Sequence, residues 1–441
     1  MSDTAPAMHP PEALRTLAER GVVLPDPALV AVGREVPLQN LAAGATLYPF
    51  TRLHGALTTI AAGAKIGPGG AATLQNAQIG PGAEIGTLGP VTLREVACGA
   101  GTVLGCGVAE ESVMLGREAG GSGFNTGYGF RLRKGSLYEE DANSAQQTDT
   151  KMTVLFPWVT LGSNVNWCDL LMAGGSGPRV GEFSELGSGT IHFNFTPRGD
   201  KATASLFGDV VDGVWLDRPR LFLGGNGSMV GPLTARYGAV SGAGRRFVRA
   251  LAAGLNSGEA DPPRGDLELE IYGSVKRVFD SQVVFVAELA ALDAYYGQAR
   301  ALLAGGDPEL GTLYQRGRAV VAVNIAERIA QLAGLAGRME RSAALLEGRA
   351  PADPRIAQHR ALLQSWPAIE TELRGYRDRH AEMPALLRRG LEDGLANHGR
   401  VYTRVIRALP PRARAAGRDW LKKIRDAVAA PRLLAAVPPL D

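Results

Sequence analysis

The chain has 441 residues, enough for two or three domains, and its 21% charged and 45% hydrophobic content exclude disorder over most of its length. A net charge of +3 gives no field that would favour nucleic acid, and no apolar run approaches the roughly 20 residues needed to span a bilayer. Met1 to Pro11 lack a basic stretch followed by an apolar one, so no secretory signal is read there. Cys98, Cys106 and Cys168 are too few for a disulfide framework or a four-ligand zinc site, which points to small core fillers in a reducing, cytoplasmic setting.

Pro11 to Arg20 form an amphipathic stretch that predicts one short helix within a lead-in of residues 1–37. From residue 38 the texture changes. The protein has 57 glycines, and about two-thirds of them lie between residues 41 and 250 without a collagen-like period of three. Leu41, Leu47 and Leu53 stand six apart; IGPGGA and IGPGAE follow, and Val91, Ala97 and Val103 repeat the interval. Six is neither the helical nor the strand period. It fits a chain that runs straight, turns at a small residue and runs straight again, with one aliphatic side chain inward on each flat. Three flats close a triangular coil of roughly eighteen residues, and stacked coils pair through parallel ladders. The expectation is a three-sided parallel β-helix over 38–246 with about nine or ten coils.

Between Arg117 and Met152 the sixfold rhythm stops, and this stretch is expected to be an inserted arm. Its cations Arg131, Arg133, Lys134 and Lys151 belong either to a solvated loop or to an arm that supplies phosphate contacts to a neighbouring subunit. Residues 247–441 turn to Ala, Leu, Arg and Glu with helical spacing. Helices are expected near 283–304, 308–347, 354–382, 384–409 and 412–430, as a bundle or coiled-coil appendage able to recruit a protein partner. The basic residues Arg412, Arg414, Arg418, Lys422, Lys423 and Arg425 read as a solvated face, with a polyanion site as the alternative.

Several chemistries are absent: there is no phosphate-binding G-x-x-x-x-G-K-[ST], no H-E-x-x-H, no G-x-S-x-G and no paired C-x-x-C. The dense stretch is LGSGTIHFNFTPRGDKATASLFGD, from Leu186. Strand geometry separates Ile191, Phe193 and Phe195 from His192, Asn194 and Thr196. Counting by six from Leu186 would turn His192 inward. The apolar set is preferred inside, because an unpaired buried imidazole or amide costs about 1–3 kcal/mol. His192 and Asn194 then face outward with Arg198, Lys201 and Thr203, and Asn164, Asn166 and Asp169 form a second polar row on the same cleft.

This run resembles the acetyltransferase half of the bifunctional UDP-N-acetylglucosamine pyrophosphorylase / glucosamine-1-phosphate acetyltransferase family. Gly187, Gly189, Thr190, Ile191, Asn194, Lys201, Thr203, Gly208 and Asp209 match that family's segment, with Phe195 in place of its Tyr. The resemblance covers roughly 40–246. It implies a left-handed parallel β-helix, a homotrimer, acetyl-CoA as donor and a sugar phosphate or nucleotide sugar bound between subunits; the residues themselves show no evident metal site. The nucleotidyltransferase domain is absent. The family's catalytic histidine is not matched within NVNWCDLLMAGGSG, so the base would be His192 or Asp169, and Asn194 and Lys201 would orient substrate. Two functions follow: a hexapeptide-repeat acyltransferase, or a non-catalytic sugar-nucleotide-binding or scaffold protein.

Overall fold

The computed structural model describes residues 7–118, 124–258 and 268–440. Residues 31–256 wind into a parallel β-solenoid of about 12 turns, and a helical region follows. One turn takes 19 residues where Lys65 stands beside Glu84. Each turn has three flat sides. Side A stacks Thr59–Ile60, Gln78–Ile79, Ala97–Cys98, Val113–Met114 and Leu137–Tyr138. Side B stacks Thr46–Leu47, Lys65–Ile66 and Glu84–Ile85, and side C stacks Thr51–His54, Ala72–Gln75 and Val91–Arg94.

The sixfold aliphatic residues lie inside as expected, with Leu41, Leu47, Leu53, Ile60, Ile66, Ile79 and Ile85 almost fully buried. The corners account for much of the glycine. After side A the chain turns at Gly82 and, one turn later, at Gly101, both with φ of 65°, a region costly for side chains with a Cβ. The corner before side A instead uses Asn76, Glu95, Glu111, Met152 and Asp169, all at positive φ.

The expected arm is corrected. Thr126–Leu132, Leu137–Tyr138, Asn143–Ser144 and Asp149–Leu155 are solenoid strands, and Leu137 pairs with Val113 before it and Val154 after it. The rhythm is lost because hydroxyls replace aliphatics inside. Ser136 Oγ lies 3.1 Å from Thr150 Oγ1, and Thr148 donates to Ser144 at 2.9 Å. Their mutual bonds meet the cost of burial while the shape is kept. Residues 119–123 of that segment lie outside the described residues.

Helix α1 (Pro11–Glu19) packs Leu14 and Leu17 on the first turns, and α2 (Val210–Gly213) is a single turn between coils. The helical region comprises α3 (Lys276–Tyr295), α4 (Ala301–Ala304), α5 (Pro308–Arg349), α6 (Pro354–Arg374), α7 (Ala385–His398), α8 (Tyr402–Ala408), α9 (Pro411–Val428) and α10 (Pro431–Ala435). The expected bounds move: the solenoid runs over 31–256 in about 12 turns, not over 38–246 in nine or ten, and the stretch expected as one helix over 384–409 is α7 and α8.

Helix α5 starts where Asp307 accepts from Glu309 and Leu310 N–H at 3.0 and 3.1 Å, with Pro308 in the first turn. By length and hydropathy α5 would be able to cross a bilayer, but it lies along side A with Leu313, Val321, Ile325, Ile329 and Leu332 buried. The basic face of α9 is also corrected. Arg414 pairs with Asp217 at 3.1 Å, Arg418 with Asp212 at 2.8 Å and Arg425 with Glu288 at 3.5 Å. Half of that cluster therefore docks α9 onto the solenoid and α3.

Candidate functional site

The residues singled out in the sequence fall into separate places. His192 is the central correction: it lies inside the solenoid, 3% exposed, while Ile191, Phe193 and Phe195 are 37%, 48% and 61% exposed. The count by six was the better guide. The imidazole is not left unpaired: Nδ1 donates to the Cys168 carbonyl at 2.6 Å, and Nε2 meets Ser205 Oγ at 2.7 Å. Trp167 and Phe207 stand edge-on to the ring. Burial drives its pKa down to about 4, so it is neutral and closed off from solvent.

Asp169 sits on a corner with φ of 57°, a conformation that Asp tolerates better than most residues. Its carboxylate is 3% exposed and is shared between the Arg328 guanidinium of α5 and the Asn194 amide. Arg328 also donates to the Lys201 carbonyl at 3.1 Å, and Thr203 Oγ1 donates to the Asn194 carbonyl at 2.6 Å. Asp169, Asn194, Thr203 and the Lys201 backbone thus form the seat of α5 on the solenoid.

Arg198 reaches the opposite way, donating to the Ile271 carbonyl at 3.0 Å over the Tyr272 ring, and the Lys201 ammonium lies 5.7 Å from the Phe195 ring. Asn164 is a corner residue at φ 56°, and Asn166 accepts from the Cys168 thiol at 3.2 Å. Arg131 and Lys151 are on side C, Arg131 standing 4.0 Å from Asp149. Lys151 is in register with Cys168, next to Asp169, and Asp149 is in register with both Arg131 and Asn166, so these side chains lie on coils neighbouring the seat, while Arg198 turns toward Ile271 and His192 lies inside.

A cavity of about 1050 Å³ opens elsewhere, between side A of the early turns and the start of α5. Its floor is built by register partners on successive turns: Ala42, Ala61, Gly80, Gly99 and Leu115. Leu57, Leu310 and Leu313 form its apolar walls, and Arg316, Arg400, Glu118 and Glu140 line it as well. The glycines hold the floor at backbone level, since a Cβ on Gly99 would come within 2.8 Å of Leu313. Cys98 also lines this groove, its thiol pushed up to about 12 by burial and therefore unreactive.

The charges here are unevenly matched. Arg300 is fully buried and holds Glu139 at 3.0 Å and Glu140 at 2.6 Å, with the Tyr402 ring 3.8 Å from its guanidinium carbon. Tyr296 donates to Glu139 at 2.6 Å. Glu118 accepts from Thr403 N–H at 3.0 Å. Burial, reinforced by Glu140, pushes Glu118 up to about 7, and burial does the same for Glu139. Asp141 rises to about 6 by burial.

Arg316 is the opposite case. It is half-buried, and among the described residues no carboxylate pairs with it; burial lowers its pKa, with only the longer-range pull of Glu95 and Cys98 against that. Arg400 spends its donors on the Ala304 and Gly305 carbonyls at 3.1 and 3.0 Å, so its charge is also unanswered by a carboxylate.

Sequence reasoning missed Arg316, Arg400, Glu118 and Glu140. The run Glu139-Glu140-Asp141, set among Gly- and Ala-rich coils, was the available signal, because three adjacent acids on a stacked coil need an outside partner. Among the described residues no three His, Cys, Asp or Glu side chains are grouped to hold a metal ion. Comparison with known family models and with curated proteins returns no match.

Proposed function

We propose that the protein is a non-catalytic binding protein for an anionic small molecule, of the sugar-phosphate or nucleotide-sugar class named by the sequence resemblance. The ligand site is the groove between side A and α5. One observation carries this reading: a half-buried guanidinium, Arg316, faces a large groove with no carboxylate partner among the described residues. A guanidinium withdrawn from water needs a compensating anion, and a phosphate supplies the bidentate one it fits best. The volume is at the upper end of that of small-molecule sites.

Acyl transfer from acetyl-CoA through His192 or Asp169 finds no support in the geometry. His192 is neutral and closed off, and Asp169 already answers Arg328. The sequence resemblance supports a left-handed winding. A homotrimer would use sides B and C, because side A carries the helices, and the three free cysteines fit a reducing compartment. The helical region would meet a partner through its outer faces only.

Calorimetric titration with UDP-N-acetylglucosamine, glucosamine phosphate and acetyl-CoA tests the reading, alongside an acetyl-transfer assay. The expected result is binding of a sugar phosphate or sugar nucleotide without turnover, weakened roughly 10- to 100-fold in Arg316→Gln. Turnover that disappears in His192→Ala would restore the transferase reading. Binding unaffected by Arg316→Gln would remove the groove.

A further inference from the structure

The groove is longer and more apolar than a phosphate alone requires. Ala42, Ala61, Gly80, Gly99 and Leu115 are joined turn to turn by backbone hydrogen bonds through Ile60, Ile79, Cys98 and Met114. Leu313 closes over Gly99 and Leu115 is buried, so the open floor is Ala42, Ala61 and Gly80; at about 4.8 Å per turn of a parallel ladder, two steps make a slot about 10 Å long. Leu57, 65% exposed, and Leu310 border the slot; its charged lining is Arg117, Glu118 and Glu140 from the later turns and Asp307, Glu309, Arg316 and Arg400 from the helical region.

Resting on the reading of the groove as an anion site, we propose that the ligand is an amphiphile: a phosphate-bearing head at Arg316 and an unbranched apolar tail laid across the coils toward Asn40. Charge complementarity selects the head. The open stretch of floor selects the tail, because a linear chain lies flat on Ala42, Ala61 and Gly80 where a branched or ring-shaped body would not reach them. At the reach of a fully extended chain, about 3.3–3.6 Å per three bonds, the slot holds roughly 9 carbons. The ligand class is a sugar phosphate or nucleotide sugar carrying a long alkyl or acyl chain, or another phosphate with such a chain.

The test uses the full chain and a series of butyl, octyl, dodecyl and tetradecyl phosphate, kept below their micelle-forming concentrations, against inorganic phosphate and UDP-N-acetylglucosamine. The expected result is a Kd that falls by about two- to fourfold per added methylene until the slot is filled. Leu57→Glu, at an exposed position, should flatten that dependence while leaving the effect of Arg316→Gln intact. Ala61→Phe, which fills the floor midway, is the second variant. Binding of UDP-N-acetylglucosamine with no gain from the alkyl chain would overturn the tail and leave the anion site standing. No binding of any probe would overturn both.

Discussion

Two polar places lie between the solenoid and its helices, and they are built on opposite terms. At the α5 seat every strong group is answered: Arg328 meets Asp169, Asp169 meets Asn194, and His192 holds Cys168 and Ser205. At the groove, Arg316 has no carboxylate in contact with it among the described residues, three of the neighbouring acids are pushed up toward neutrality, and a cavity of about 1050 Å³ lies beside them. Polar residues that satisfy one another hold a fold together, whereas buried charges left unmatched beside open space are free to meet something else. The residue types alone would have ranked the two places the other way round.

The largest effect expected on this contrast belongs to Arg300. Arg300→Met leaves Glu139 and Glu140 buried without their cation, and the fold should lose about 3–5 kcal/mol, read by denaturant unfolding. His192→Ala comes next: it opens a cavity among Trp167 and Phe207 and strands two hydrogen-bond partners, a loss of about 2–3 kcal/mol. Ligand affinity should be unchanged in the fraction that folds. If His192→Ala were neutral for stability but abolished an activity, the seat would be the functional place.

The pH dependence is smaller and has a definite sign. Burial lifts Glu118 and Glu139 to about 7 in the fold, from an ordinary 4.5. The folded state therefore binds more protons than the unfolded one between those values. Stability is full below about 4.5 and falls as pH rises through about 7. His192 acts in the other direction, but only between about 4 and 6.5. From pH 6.5 to 8 the melting temperature should thus decline, and Glu118→Gln should make the decline shallower. A flat profile would show that the acids are better matched than their surroundings indicate. The smallest effect is expected for Arg131→Ala, whose side chain is 65% exposed: less than about 0.5 kcal/mol, with no change in binding.

The solenoid was legible because its cause is local. An aliphatic residue every sixth position and small residues at the corners follow directly from three short flats per turn, and the count by six even located His192. That count was set aside because the cost of burying an imidazole was weighed without its partners. Cys168 and Ser205 lie 24 and 13 residues away in sequence and become neighbours only when coils stack. The stretch from Arg117 to Met152 was misread for a related reason: Ser136, Ser144, Thr148 and Thr150 look like loop residues until stacking pairs their hydroxyls.

The groove was not legible at all. Arg316 and Glu118 are nearly two hundred residues apart in the chain, and what marks Arg316 is the lack of a carboxylate in contact with it among the described residues, which no local pattern encodes. The basic run on α9 shows the converse, since half of those cations turned out to have partners on the solenoid and α3.

The most direct test of this account is one calorimetric titration of UDP-N-acetylglucosamine into the wild type, Arg316→Gln and Lys201→Gln side by side. The account predicts that Arg316→Gln weakens binding by at least about tenfold while Lys201→Gln matches the wild type. Loss of binding in Lys201→Gln with Arg316→Gln unaffected would contradict it and return the site to the seat of α5.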